Sequence, residues 1–289
     1  MLNTDEALLS MNQKLHKILA AADKSLTRTS INGYRGAFHV GVDLGTTYTS
    51  IFVLDDDHQP LVGKYCYAEI VRDGLVVDFA GAVALVRSFK KDVEQRLGRE
   101  LTSAATGFPP GVPLAEVRAT RYVLEAAGFT CSAIIDEPSA ANTLLNVDNG
   151  AVVDIGGGTT GIAVIRDGEV IYTADEPTGG THFSLVIAGA HKIPFEKAEA
   201  RKIDNKQHAQ LFPVVRPVME KVGTIISRHL QDHPVEIIYL IGGTSAFKGI
   251  DGVIESVTGI KTVVPANPLF ITPLGIAMND QKDREDIYG

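Results

Sequence analysis

The chain of 289 residues has no tryptophan and only two cysteines, Cys66 and Cys131. The missing tryptophan excludes no class of protein. The cysteines stand far apart in apolar runs and lack metal-ligand spacing, so they read as reduced core thiols. There is no long basic run, and the net charge is −8, which excludes nonspecific binding to nucleic acid or anionic membrane. No apolar stretch reaches the ~18 residues of a membrane span. The N-terminus carries no secretory apolar region. No Gly-x-x-x-x-Gly-Lys-Ser/Thr sequence occurs, so a P-loop is excluded at the motif level. These absences lead to the expectation of a cytoplasmic protein.

Two Asp-Gly-Thr-Thr signatures carry the positive information. The first is Asp43-Leu44-Gly45-Thr46-Thr47, and the second is Asp154-Ile155-Gly156-Gly157-Gly158-Thr159-Thr160. Each follows an apolar run, 37–42 or 151–153, and precedes another, 49–54 or 161–165. Strand, glycine turn and strand make a hairpin. Amides of such a turn can approach a phosphate closely, threonine hydroxyls add donors, and the aspartate can hold a cation through water. Two such hairpins facing each other would clamp the phosphates of a nucleotide.

A rival motif overlaps the second signature. Gly156-x-Gly158-x-x-Gly161 matches the dinucleotide fingerprint, with Asp175 and Glu176 about 20 residues on. That fingerprint must open a helix, whereas Ile162–Ile165 is β-rich and ends in an Asp-Gly turn. His229 and His233 have helical spacing, but no carboxylate partner is evident in sequence, and a solvated helix end is expected there.

The first thirty residues differ from the rest. Leu8, Met11, Leu15, Ile18 and Leu19 recur at helical spacing. The helix either packs on the main body or docks a partner. Beyond it, a strand meander, helices over 79–99 and 114–127, a strand at 131–135 and a helix at 139–145 are expected. The second half repeats the scheme, with helices over 181–190, 195–203 and 214–230, a strand at 236–241 and a terminal helix at 271–278. Residues 72–74 read as a turn. Residues 279–289 read as a loose charged tail. The repetition indicates two similar α/β lobes.

Five motifs then occur in order. They are Asp43 to Tyr48, Glu137-Pro138-Ser139-Ala140-Ala141, Asp154 to Thr160, Gly242-Gly243-Thr244-Ser245, and Asn267-Pro268 with Pro273-Leu274-Gly275-Ile276-Ala277. This set resembles the actin, Hsp70 and sugar-kinase ATPase superfamily. It implies an α/β, two-lobed actin-like ATPase fold (a ribonuclease H-like duplication), reduced in size and with an N-terminal helical extension. The expected divisions are 1–36 for the extension, 37–150 with the returning helix 263–279 for lobe I, 151–262 for lobe II, and 280–289 for a flexible tail.

The resemblance also implies roles. ATP with Mg²⁺ would be the ligand, with Asp43 and Asp154 facing the metal through water. Gly45, Thr46 and Thr47 would hold phosphates from one lobe, and Gly156, Gly157, Gly158 and Thr159 from the other. Glu137 would position the attacking water. Gly242, Gly243 and Thr244 would lie by the adenosine, and Glu199 and Lys202 by the ribose or adenine. Asp43, Glu137 and Asp154 would form the catalytic set of a weak ATPase.

Taken whole, the chain resembles an Hsp70-like branch associated with ethanolamine utilization and bacterial microcompartments. That implies a chaperone or assembly factor, with ethanolamine ammonia-lyase or microcompartment shell proteins as partners. A non-hydrolysing adaptor, an actin-like scaffold or filament protein, and a small-molecule kinase are the alternatives. Four departures stand out. Gly161 occupies the place of an Hsp70 aspartate, and the Hsp70 catalytic lysine has no match. Ala246-Phe247 replaces an arginine after the Gly-Gly pair. Only Ile203 to Phe212 stands where relatives insert a small subdomain.

Overall fold

Apolar runs and glycine turns make two sheets of the same design. In the computed structural model, residues 4–31, 33–72 and 75–280 are described, with the side chains of 4–12 and Leu114 excepted. The chain divides into two units. Unit 1 comprises residues 1–146 and 270–289, and unit 2 comprises 147–269.

Unit 1 contains α1 (Thr4–Thr27), β1 (His39–Leu44), β2 (Tyr48–Leu54), β3 (Pro60–Tyr67), β4 (Val71–Arg72) and β5 (Leu75–Val76). These are followed by α2 (Phe79–Leu97), β6 (Ser103–Phe108), α3 (Leu114–Ala126), β7 (Thr130–Asp136) and α4 (Glu137–Leu145). Five strands form one sheet in the order β3-β2-β1-β6-β7. The first three are an antiparallel meander, and β6 and β7 run parallel to β1. One face packs Val40, Val42, Leu44, Ile51 and Val53 against Val86, Phe89 and Val93 of α2 and Val123 and Leu124 of α3. Alternation of side chains sends Gly41, Asp43, Ala105 and Gly107 to the other face. Ala105 there packs with Ala140 of α4 and Ile276 of the terminal helix. The second half of α1 buries Leu15, Ile18, Leu19 and Ala22. Arg96 ties its end down, donating to Leu26 O and Gly63 O, both at 3.2 Å. The helix therefore packs on its own unit.

Unit 2 holds β8 (Gly150–Ile155), β9 (Thr160–Arg166), β10 (Glu169–Glu176), α5 (Gly180–His191), α6 (Phe195–Ile203), α7 (His208–Leu230), β11 (Ile237–Ile241), α8 (Ile250–Thr258) and β12 (Lys261–Val263). Its sheet order, β10-β9-β8-β11-β12, repeats that of unit 1. Val153, Ile162, Val164 and Leu240 pack against Phe183 and Ile187 of α5 and Val215, Met219 and Ile226 of α7. The duplicated α/β architecture expected from sequence is present.

Some expectations shift. Helix α7 starts at His208 and runs through Pro213 and Pro217, well before residue 214. Of the 72–74 turn, residues 73 and 74 lie outside the described residues. So does 281–289 of the expected tail. Asn279 and Asp280 are not loose, being 7% and 1% exposed. Val40 N donates to Asp280 Oδ2 at 2.7 Å, and Asn279 Nδ2 donates to Gly275 O at 2.9 Å. They close the end of α9 (Ile271–Met278) onto β1. Both cysteines are thiols, partly buried against the unit 1 core. Burial pushes the Cys66 thiol up from its ordinary value.

Candidate functional site

In unit 1 the parallel strands β1, β6 and β7 present their carboxyl ends at one edge. Val42, Thr106 and Ile134 form a row across them. Asp43 stands one residue beyond that row, opposite Ser50, and Glu137 follows β7 at the same edge. The Gly45–Thr47 turn closes with Gly45 N donating to Tyr48 O at 3.1 Å. A Cβ on Gly45 would sit 2.7 Å from that carbonyl, so no side chain fits. Ala68 N donates to Thr47 O at 3.0 Å and fixes the far end of the turn. Asp136 caps α4 by accepting from Ser139 N at 2.9 Å, so Glu137 begins the helix. Gly107 makes room for Ile276 of the terminal helix, whose Cδ1 would lie 2.6 Å from a Cβ there, and Glu137 Cγ stands 3.5 Å from the same point.

In unit 2 Asp154 lies opposite Gly161 on β9 and Ile241 on β11. Gly156 N donates to Thr159 O at 3.0 Å, which closes the second turn. The start of α5 then straps this loop. Gly180 N donates to Gly156 O at 2.9 Å and Thr181 N to Gly157 O at 2.8 Å. Thr244 Oγ1 donates to the same Gly156 carbonyl at 2.8 Å. A Cβ on Gly179 would lie 2.8 to 2.9 Å from backbone atoms of Gly156, Gly157 and Gly158. Gly242 has φ 85° and ψ 160°, and a Cβ on it would overlap Asp154 Oδ1. Asp175, on the neighbouring strand, leans toward the space over Gly161, its Oδ1 3.8 Å from a Cβ there.

Glu199 and Lys202 meet on α6. Lys202 Nζ donates to Glu199 Oε2 at 2.7 Å and to Gly180 O at 3.1 Å, and Ser184 Oγ donates to Glu199 Oε2 at 2.5 Å. Burial pushes the Lys202 ammonium down from its ordinary value, while the carboxylate beside it pulls the other way. His208 accepts at Nδ1 from Lys248 N at 3.1 Å, so its proton sits on Nε2, 2.7 Å from Lys202 O. Its ring stacks on Phe247 with centroids 4.0 Å apart.

The sequence motifs single out Asp43, Glu137, Asp154, both glycine loops and the Gly-Gly pair. They miss Gly107, Gly179, Gly180, Ser184 and His208. The run Thr178-Gly179-Gly180-Thr181 was an available signal, because paired glycines mark close backbone approach. The other roles arise from segments brought together by the fold.

The dinucleotide fingerprint fails its structural condition, since a strand, β9, follows the glycines. Its acidic residue has another use. His229 lies 2.7 Å from both Tyr172 OH and Glu176 Oε1, Arg228 also pairs with Glu176, and His233 stacks on Tyr172. The expected solvated helix end is instead a polar clasp between α7 and β10. The His229 hydrogen bond, opposed by desolvation and aided by Arg228, holds the Glu176 carboxyl below its ordinary range.

A pH dependence follows from His208. Burial, before any other cause, lowers its pKa from the ordinary value. The folded state therefore binds fewer protons than the unfolded one as pH falls below about 6.5. The contribution of His208 to stability is complete above that pH and declines below it. Denaturation of wild type and His208→Ala should show a gap that narrows from about pH 7.5 to about pH 5. A gap constant with pH would contradict the neutral, amide-accepting imidazole.

Mg²⁺ fits this donor set in one way. Among the described residues no three His, Cys, Asp or Glu side chains converge to hold a metal. Each glycine loop has instead a single aspartate beside backbone amides. That arrangement suits an ion that keeps waters and arrives with phosphates, not one in an all-protein cage.

The fold and these turns define an actin-like ATPase fold. The crystal structure of MreB5 of Spiroplasma citri bound to AMPPNP shares the fold, with TM-score 0.69 at 16% identity, over 85% of this chain and 96% of that one. Residues 119–283 match the family model "Type IV pilus assembly protein PilM". The ethanolamine utilization protein EutJ of Salmonella typhimurium is 44% identical over 250 residues, covering 86% of this chain and 88% of that protein. The crystal structure of EutJ from Carboxydothermus hydrogenoformans matches with TM-score 0.88 and 42% identity, over 92% of this chain and 98% of that one. The chain belongs to the EutJ family, within the wider group of proteins that the PilM model describes.

Proposed function

We propose that this protein binds ATP with Mg²⁺ and acts as an Hsp70-like chaperone or assembly factor in ethanolamine utilization. Its clients would be ethanolamine ammonia-lyase or the shell of the bacterial microcompartment, reached from the cytoplasm. The carrying observation is the pair of strand-glycine-strand turns, each with an aspartate at the strand end, in a member of the EutJ family. The AMPPNP named for the MreB5 neighbour supports a nucleotide in this fold. Asp43 and Asp154 would hold Mg²⁺ through water, and Gly45, Thr46, Thr47, Gly156, Gly157, Gly158 and Thr159 would hold phosphate oxygens. The bound metal would supply positive charge against the phosphates. Glu137, set at the start of α4, would orient a water. Nothing more than positioning and charge is required for slow hydrolysis.

Calorimetric titration of Mg-ATP tests the nucleotide part. Saturable binding is expected in wild type, and Asp43→Ala, Asp154→Ala should weaken it tenfold or more, about 1.4 kcal/mol or greater. An unchanged melting curve for that variant would assign the loss to the site. Absence of saturable heat from wild type would overturn the reading. The client part is tested by copurification from a native operon, where failure to enrich ammonia-lyase or shell proteins counts against it.

A further inference from the structure

We infer that unit 2 reads the phosphate chain of its ligand and is blind to the base, so that ATP, GTP and inorganic tripolyphosphate are equivalent ligands. The inference rests on the nucleotide reading above and narrows it.

The polar side chains at the nucleoside end already bond one another or the backbone inside the unit. Lys202, 8% exposed, gives its ammonium hydrogens to Gly180 O and Glu199. Glu199 Oε2 also takes the Ser184 hydroxyl, and Thr244 gives its own to Gly156 O. Turning Glu199 toward a ribose would leave the buried Lys202 ammonium without its counter-charge. These side chains act instead as positioning groups, because Lys202 and Thr244 both converge on Gly180, where a Cβ would lie 2.8 Å from Lys202 Nζ.

The short link from α6 to α7 closes the same end. His208, 3% exposed, bonds the end of α6 through Lys202 O and the exit of the Gly-Gly turn through Lys248 N. Both ring nitrogens are committed to backbone, and the ring face is covered by Phe247 at an interplanar angle of 15°. An imidazole that this chain supplies itself stacks beside the Gly-Gly turn. The exposed residues of the turn itself, Gly243 and Ala246, offer no polar side chain, and exposed Lys248 at its exit is a donor that N7 of either purine can meet. Discrimination of adenine from guanine needs a polar group that the wrong base leaves unpaired. The turn itself offers none.

The phosphate end is the opposite case. The loop carbonyls of Gly156 and Gly157 are drawn inward by Gly180 N, Thr181 N and Thr244 Oγ1. The amides of Gly157, Gly158 and Thr159 have no carbonyl partner among the described residues. Successive amides of this kind favour an anion whatever is attached to it.

The test is calorimetric titration of the full chain with Mg-ATP, Mg-GTP and Mg-tripolyphosphate at one ionic strength, with adenosine as a fourth ligand. Dissociation constants within fivefold of one another, and no heat from adenosine, are expected. ATP tighter than GTP or tripolyphosphate by more than fivefold would overturn base blindness and leave the ATP reading standing. Saturable binding of adenosine alone would do the same. No binding of any of the three phosphates would overturn both.

Discussion

Gly242→Ala is expected to abolish Mg-ATP binding and to cost about 2–6 kcal/mol of stability. Gly242 takes φ 85° and ψ 160°, a region almost confined to glycine. Holding an alanine there costs about 1–3 kcal/mol. The new methyl would overlap Asp154 Oδ1 and lie 2.6 Å from Ile155 O. Rotating the peptide away is opposed by Gly242 N, which donates to Pro268 O at 3.0 Å. Overlap of that kind adds about 1–3 kcal/mol. The carboxylate proposed to face Mg²⁺ must move, and binding goes with it. Gly243→Ala is the matched control. Its φ is not positive, and its methyl would meet only Leu269 Cδ1 at 3.2 Å, the end of a flexible side chain. Urea denaturation with parallel Mg-ATP titration should separate the neighbours. Equal behaviour of the two variants would show that Gly242 does not constrain the Asp154 carboxylate.

How far the sequence anticipates this site depends on the range of the interactions. Both hairpins, 39–54 and 150–166, are written locally as apolar runs on either side of a glycine turn. Helices α6 and α9 have the bounds expected for them, Phe195–Ile203 and Ile271–Met278. Helix α7 starts six residues before the expected 214, although Pro213 and Pro217 lack an amide hydrogen and disfavour helix before them. The buried stripe Leu211, Val215, Met219, Val222 and Ile226 outweighs that cost once it packs on β8 and β9. Helix α8 and strand β12 are short and depend on neighbours for stability, although left-handed Gly249 and Gly259 bracket α8. The spending of Lys202, Glu199 and Thr244 inside unit 2 was not legible at all. It requires Gly180, Lys202 and Thr244 to meet, and no spacing rule joins three separate elements.

Gly275→Ala is expected to destabilise the protein by about 3 kcal/mol or more, against the direction of helix propensity. In an ordinary helix interior this exchange stabilises by about 1 kcal/mol. Here a Cβ on Gly275 would overlap Ala140 O and lie 3.2 Å from Ala141 N, so α9 and α4 cross with their backbones touching. No rotamer relieves a clash between a methyl and main chain. The same helix is pressed onto β1, where a Cβ on Gly41 would lie 2.7 Å from Ala277 Cα. Held on both sides, α9 can yield only by lifting away, which would uncover Ile271, Leu274 and Ile276, all 0% exposed. Helix α4 would shift with it and carry Glu137 off the edge beside Asp43. The melting temperature should fall by about 6 °C or more, and Mg-ATP affinity should fall as well. Gly189→Ala in α5 and Gly252→Ala in α8 supply the contrast, since a Cβ at either meets nothing within 4 Å. Both should raise stability by about 0.5–1 kcal/mol. A stabilised Gly275→Ala would mean that the α4–α9 crossing has room for a methyl, and the backbone contact that seats Glu137 would have to be abandoned.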